Sequence, residues 1–243
     1  MFAILKKEFN SFFSSTIGYL IISIFLIATG LFIWVFDSNF NLFNYGYANL
    51  TPFFELMPWI FIFLIPAICM KSFSDEIKQG TIELLFTKPI STRAMIYGKF
   101  LGAFSLSTIA VIPTVIYIFS IDALKQATSI IDYSAIATSY LGLLLMIGAF
   151  VSISLFSSVL SKNQISAFII GVFICLIMFF AFAGLSTYQI FASEIYGIEY
   201  LSLSYHYKAM SRGVIDTRNI IYLVSISILF LELTKVKLEK LRQ

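Results

Sequence analysis

Few side chains in this sequence are of the types that do chemistry. Its 243 residues hold one histidine, two cysteines, 13 acidic and 16 basic residues. The histidine, His206, stands in a polar stretch between apolar blocks. A lone loop histidine is more often a plain polar side chain than a general base. Cys69 and Cys175 both fall inside apolar blocks, which speaks against a disulfide framework and against a metal site. Neither H-E-x-x-H nor a nucleophile elbow is present, and no G-x-x-x-x-G-K-[ST] loop exists to cradle ATP phosphates. A membrane-embedded enzyme would need a reactive cluster that these residues do not supply. The sequence therefore predicts a non-enzyme with no metal and no cofactor of its own.

The elements that carry these residues are strongly apolar. Hydrophobic residues make up 59% and charged residues 12% of the chain, against roughly 45–50% and about 25% in soluble domains. The excess falls in blocks of about twenty residues, the length that crosses a hydrocarbon core of about 30 Å. Six spans are predicted, at about 17–36, 53–70, 98–120, 135–160, 165–185 and 219–233. Many of the 27 Phe and 13 Tyr sit near block ends, where aromatic rings prefer the interface. Residues 1–14 place Phe2, Leu5, Phe9, Phe12 and Phe13 on one helical face and Lys6, Lys7 and Glu8 on the other. That pattern suits a helix in the headgroup plane, or a simple extension of the first span. Pro58 and Pro66 are able to bend span two. No loop is large enough for an independent core, and the first block is too long for a signal peptide. The predicted fold class is all-α: a polytopic membrane protein, one domain over 1–243. Residues 186–218 read as a polar-aromatic loop, in which Tyr196–Tyr207 is either a contact surface or an interfacial re-entrant segment.

Charge sets the orientation. With six spans, both termini share a side with Lys6, Lys7, Lys71, Lys78, Lys88, Arg93, Lys99, Lys162, Lys235, Lys237, Lys240 and Arg242. The other side has Lys125, Lys208, Arg212 and Arg218. The excess of Lys and Arg predicts cytoplasmic termini and a cytoplasmic loop 71–97. Span interiors read as almost free of charge, so no buried proton relay is expected. Glu55 lies one turn into span two, where the helix dipole favours a carboxylate, and Glu232 reads as interfacial. Small residues recur at Gly98 and Gly102, Gly148 and Ser152, and Gly171 and Cys175. Such pairs let helices approach closely, here within the chain rather than between chains.

The loop 71–97 is the most informative stretch. Ser72 is placed to cap a helix whose first turn holds Asp75 and Glu76. Gly80 permits a break, Thr81 restarts a short amphipathic piece with Ile82, Leu84, Leu85 and Phe86, and Pro89 ends it. Ser91 then caps the next helix, with Ile90 able to staple onto Met95. The expectation is a short helix lying across the surface; the alternative is a solvated charged loop.

The run F-S-D-E-I-K-Q-G-T-I-E-L-L-F-T-K-P-I-S at 73–91, followed by Tyr97-Gly98-Lys99, resembles the signature of ABC-2 type permeases. The six-span layout and amphipathic N-terminus match that family too, so the likeness covers essentially the whole chain. It implies that Asp75, Glu76, Lys78, Gln79, Gly80, Thr81, Ile82, Glu83, Leu84 and Leu85 form a cytoplasmic coupling helix. In that family this helix docks in a groove of a cytoplasmic ABC ATPase dimer, and the partner binds and hydrolyses the ATP. The N-terminal half and residues 211–222 also look like the gliding-motility-associated permeases of Bacteroidota. That narrower likeness implies an inner-membrane exporter with a second membrane subunit bearing a large extracytoplasmic domain, or a second permease copy. The alternative is a mechanotransducing scaffold that passes ATPase motion to an extracytoplasmic partner without moving a solute. No polar pocket legible in the spans names a substrate.

Overall fold

The computed structural model describes residues 2–44, 49–87, 90–125, 131–187 and 198–242, all as helices, turns or irregular chain. The helices are α1 (Phe2–Ser14), α2 (Thr16–Gly30), α3 (Thr51–Cys69), α4 (Lys71–Lys78), α5 (Thr81–Thr87), α6 (Thr92–Val111), α7 (Ile116–Leu124), α8 (Tyr133–Leu160), α9 (Gln164–Leu176), α10 (Phe182–Thr187), α11 (Leu203–Ser211) and α12 (Thr217–Arg242). Among the described residues six stretches are long and apolar enough to cross a membrane: Gly18–Val35, Thr51–Lys78, Thr92–Leu124, Tyr133–Leu160, Gln164–Gly184 and Thr217–Arg242. Among the described residues there is no strand.

The predicted spans stand, with three of them longer than read. Span two runs on into Lys78, span three begins at Thr92, and span six continues to Arg242. Polarity ended those spans in the sequence reading, but a helix needs only its own backbone bonds to continue. The end of span six adds Lys235 within 3.6 Å of Glu232 and 3.8 Å of Glu239, pairs one helical turn apart.

Span four is the axis of the bundle. Of its most apolar stretch 78% is buried, against 28% in spans one, five and six, whose outer faces carry exposed Ile24, Ile169, Phe173 and Ile228. The helix α8, at about 1.5 Å per residue, runs against spans two, three, five and six. Small residues make this possible. Gly148 lies where Phe100 and Phe104 of span three and Ser227 of span six meet α8, and Ser152 turns its hydroxyl onto the Ala149 carbonyl. A Cβ at Gly171 would come within 2.8 Å of Ser157 and 3.1 Å of Pro66, so span five sits tightly on spans four and two. These small residues serve packing within the chain. Asp132 caps α8, accepting from the amides of Ser134 and Ala135 at 3.0 Å each. The Ser134 hydroxyl, first, and then the Ala135 amide hold its carboxyl below the usual carboxylate range.

In hydrocarbon every backbone polar group needs a partner within the protein. Four spans nevertheless break their regular ladder: at Pro58, at a wide turn over Leu31–Val35, at a tight turn over Ile112–Val115 containing Pro113, and at a wide turn over Ile177–Ala181. Side-chain hydroxyls donate to carbonyls at three of these breaks. Pro58 has no N–H to offer the Phe54 carbonyl, and the Tyr207 hydroxyl donates to that oxygen instead, at 2.8 Å. Ser202 donates to the Phe179 carbonyl at 2.6 Å, and Thr114 to that of Val111 at 2.6 Å.

Two of those donors come from the stretch read as a polar-aromatic loop. Residues 198–211 form a turn and the helix α11, which folds back into the bundle with Leu203, His206, Tyr207 and Met210 buried. Met210 reaches α8 at Gly142, where a Cβ would meet its own Cβ at 2.8 Å. His206 is therefore not loop surface. One ring nitrogen is 2.7 Å from the Asn219 side-chain oxygen, the other 2.8 Å from the Tyr200 carbonyl, and the ring stacks on Tyr222. Tyr196 lies outside the described residues.

Tyr207→Phe is expected to lower stability in detergent by about 1–2 kcal/mol, because it orphans a buried carbonyl. In a Pro58→Ala background the restored N–H re-pairs that carbonyl and the loss should largely vanish. A thermal-unfolding double-mutant cycle measures the coupling; equal costs in both backgrounds would contradict the assignment.

Candidate functional site

The charged end of the bundle, where both termini lie, gathers the motif residues. Span two does not stop where the polar residues start. The Met70 amide still donates to the Pro66 carbonyl, at 2.8 Å, and α4 follows at Lys71. Ser72 does not cap this helix. The amides of Phe73 and Ser74 are taken at 2.8 and 3.2 Å by the hydroxyl of Ser158, from the end of α8. A neighbouring span thus does what a local cap would have done. Asp75 accepts from the Gln164 side-chain amide at 2.5 Å, tying α4 to the start of span five.

Glu76 turns the other way, onto Lys99. Span three carries Lys99 as part of α6, and that lysine is only 3% exposed. An ammonium so placed needs acceptors for all three of its protons. They are the Glu8 carboxylate at 3.1 Å, the Glu76 carboxylate at 2.9 Å and the Ser72 carbonyl at 2.5 Å. Its charge also sits 4.8 Å from the centre of the Phe73 ring. Lys7 approaches Glu76 from the outside, at 3.7 Å. The span interiors, almost free of charge in the sequence, do hold this one buried lysine, and it joins span three, the end of span two and the N-terminal helix.

The N-terminal helix reaches this lysine because span three has no side chain in the way. A Cβ at Gly102 would lie 2.8 Å from the Cβ of Glu8. Gly102 thus takes α1 rather than another span, while Gly98, one turn earlier, is buried in the same helix.

Beyond Lys78 the chain breaks. Gly80 has φ +70°, a conformation that L residues with a Cβ rarely adopt. The Thr81 hydroxyl donates to the Glu76 carbonyl at 3.3 Å, and α5 follows. The expected surface helix is therefore two pieces: α4, continuous with span two, and α5 beyond the glycine. The ten motif residues divide by direction. Asp75 and Glu76 bond inward, Thr81 is half-buried over the Glu76 carbonyl and Ile82 is buried, whereas Lys78, Gln79, Gly80 and Glu83 are exposed. Leu84 and Leu85 lie in α5, their side chains outside the described set, as are Lys88 and Pro89 altogether. Ser91 caps α6 as read from sequence, accepting from the Ala94 amide at 3.2 Å. Arg93 pairs with Glu232 of span six at 3.4 Å, but both are well exposed, and such pairs add little.

From the sequence, Lys99 reads as one of the charges of the cytoplasmic side at the start of span three, and Glu8 as part of a polar face. A signal was present: Lys99 stands three residues before Gly102 within the run Tyr97–Ala103, and an ionisable group within an apolar helix is a functional hypothesis by default. Chemically, the site has carboxylates and amines locked to one another. Among the described residues no group of His, Cys, Asp and Glu is arranged to hold a metal ion. What the arrangement does is mechanical: it fixes three helices to one ammonium.

Lys99→Met leaves Glu8 without its ammonium and Glu76 with only the more distant, exposed Lys7, and is expected to destabilise the protein by about 3–5 kcal/mol. Neutralising all three charges together (Glu8→Gln, Glu76→Gln, Lys99→Met) should cost far less. Thermal unfolding in detergent compares the two; equal losses would mean that charge pairing is not what Lys99 contributes.

No curated protein matches this chain. A family model described as ABC-2 family transporter protein matches residues 2–233, a stretch that includes Glu8, the α4–α5 segment, Lys99 and all but the end of span six. The chain accordingly belongs to the ABC-2 family of transporter proteins and is a multi-pass membrane protein.

Proposed function

We propose that this chain is the transmembrane permease subunit of an exporter-type ABC transporter, driven by a separate cytoplasmic ATPase. The observation that carries this reading is the two-faced segment over residues 71–87. Its inner face is bonded to spans three, four and five through Glu76, Ser158 and Asp75. Its outer face leaves Lys78, Gln79, Gly80 and Glu83 exposed at the end of the bundle. A partner gripping the outer face has a stiff path into the spans. The motif residues already quoted are those by which ABC-2 permeases engage their ATPase, and the family match supports the same partner.

In this reading ATP is bound and hydrolysed by the partner dimer, since the chain has no phosphate-binding loop. Twelve of the 16 Lys and Arg fall to the side of the termini and the α4–α5 segment, a bias that supports, by the positive-inside rule, a cytoplasmic position for that end; the family likeness supports a bacterial inner membrane. Closure of the ATPase dimer then displaces α4 and α5 as a body, and rigid-body shifts of the spans open a path between two half-transporters. The likeness of residues 211–222 to gliding-motility permeases supports a role linked to that process. It also supports a second membrane subunit with a large extracytoplasmic part, or a second copy of this chain.

Reversing the exposed charges tests the docking face without touching the bonded one. Lys78→Glu with Glu83→Lys is expected to weaken binding of the cognate ATPase at least about tenfold, roughly 1.4 kcal/mol, with unchanged thermal stability. Affinity measured on the chain in nanodiscs decides the matter, and full binding by the reversed variant would place the docking surface elsewhere.

A further inference from the structure

We propose that Lys99 is the positioning residue through which the ATPase-facing segment moves the N-terminal helix, making α1 a driven lever rather than a passive anchor. This inference rests on the reading that an ATPase docks on α4–α5.

Four features of the charged end carry it. The first is connectivity. Lys99 holds the Glu76 carboxylate on α4 and the Glu8 carboxylate on α1 at the same ammonium, 2.9 and 3.1 Å away. A displacement of α4 therefore acts on α1 and span three together. The second is charge. Lys99 is buried, so releasing either carboxylate leaves charge unpaired in a poorly solvated site, and the three groups stay together as the segment moves.

The third is a spare acceptor. Glu76 uses Oε1 for both Lys99 and Lys7, while its Oε2 is buried without a hydrogen-bond partner among the described residues. As α4 turns, the ammonium can pass from Oε1 to Oε2 without losing the charge contact. A neutral hydrogen bond, which depends on one donor and one direction, would break under the same rotation. The node thus works as a swivel. The fourth is what lies downstream. α1 meets span one at a corner so tight that a Cβ at Gly18 would fall 2.3 Å from the Phe12 carbonyl oxygen. Motion of α1 passes directly into span one, which has little of the burial that immobilises span four. The flat surface at Gly102 puts no ridge in the path of α1.

The experiment places spin labels at Asn10→Cys on α1 and Lys240→Cys on α12, both exposed positions. The native Cys69 and Cys175 are fully buried and stay unlabelled. The chain in nanodiscs, in complex with its cognate ATPase, is measured nucleotide-free and after trapping with ATP and vanadate. With Lys99 intact, trapping shifts the label distance. In Lys99→Met the ATPase still binds, because Lys99 is internal, but the shift falls on the order of threefold or more. The variant with Glu8→Gln, Glu76→Gln and Lys99→Met leaves no unpaired charge and shows the same loss, so the test survives misfolding of the single variant. Lys99→Arg keeps the cation and retains most of the shift, an outcome that a merely structural role does not require of two equally stable variants. Full shifts in both neutral variants overturn the proposal. So does a bound ATPase with no shift in the unaltered chain. Failure of the unaltered chain to bind the ATPase at all overturns the docking reading, and this inference with it.

Discussion

An ammonium group that is almost out of water sets terms for everything around it. Lys99 has three N–H protons and no bulk solvent to take them, so three oxygens must be brought to it. One comes from the N-terminal helix, one from the end of span two, and one from the backbone at Ser72. Each acceptor requires a local device. Glu8 arrives only because Gly102 lacks a side chain. The Ser72 carbonyl and Glu76 hold their places because Ser158 takes the amides at the start of α4. The arrangement at the charged end follows from one buried charge and the helices needed to satisfy it.

The opposite end obeys the same rule with neutral groups. Prolines and wide turns interrupt the spans there, and hydroxyls from Tyr207, Ser202 and Thr114 donate to carbonyls beside the breaks. Two of these belong to the segment 198–211, which for that reason turns inward rather than standing out as a loop. The molecule is thus ionic and tightly tied at one end. At the other, neutral hydrogen bonds to the broken turns and the packing of α11 on α8 do most of the holding, and neutral bonds are cheaper to exchange. A permease that is gripped at one end and must open a path toward the other would be built with that asymmetry.

Much of the architecture was legible from the residues. Spans were visible because hydrocarbon demands long apolar runs, and the Ser91 cap because capping is local. The break at Gly80 was legible for the same reason, since glycine permits a backbone turn that other residues resist, and here its φ is +70°. What the sequence withheld were bonds between distant residues. Ser158 caps a helix more than eighty positions earlier, and Glu8 pairs with a lysine 91 positions later. Lys99 lay within a few residues of the predicted start of span three, where a charge normally belongs to the interface, and only the packing of α1 over it made it internal. His206 misled for a related reason: its two hydrogen-bond partners, the Asn219 side chain and the Tyr200 carbonyl, converge only once α11 folds back. Among the motif residues, family likeness pointed to the segment, but direction within it required the fold. Glu76 belongs to the bundle and Glu83 to the outside.

The central claim is that a separate ATPase grips the exposed face of α4–α5. The most direct measurement is site-specific photo-crosslinking in intact cells, with the reactive group at Gln79 on that face and a control at Tyr133 on the opposite end, both exposed. The account expects the Gln79 adduct to contain a nucleotide-binding ATPase, identified by mass spectrometry, and the Tyr133 adduct to lack it. Capture of that ATPase from Tyr133, or from neither position, would contradict it.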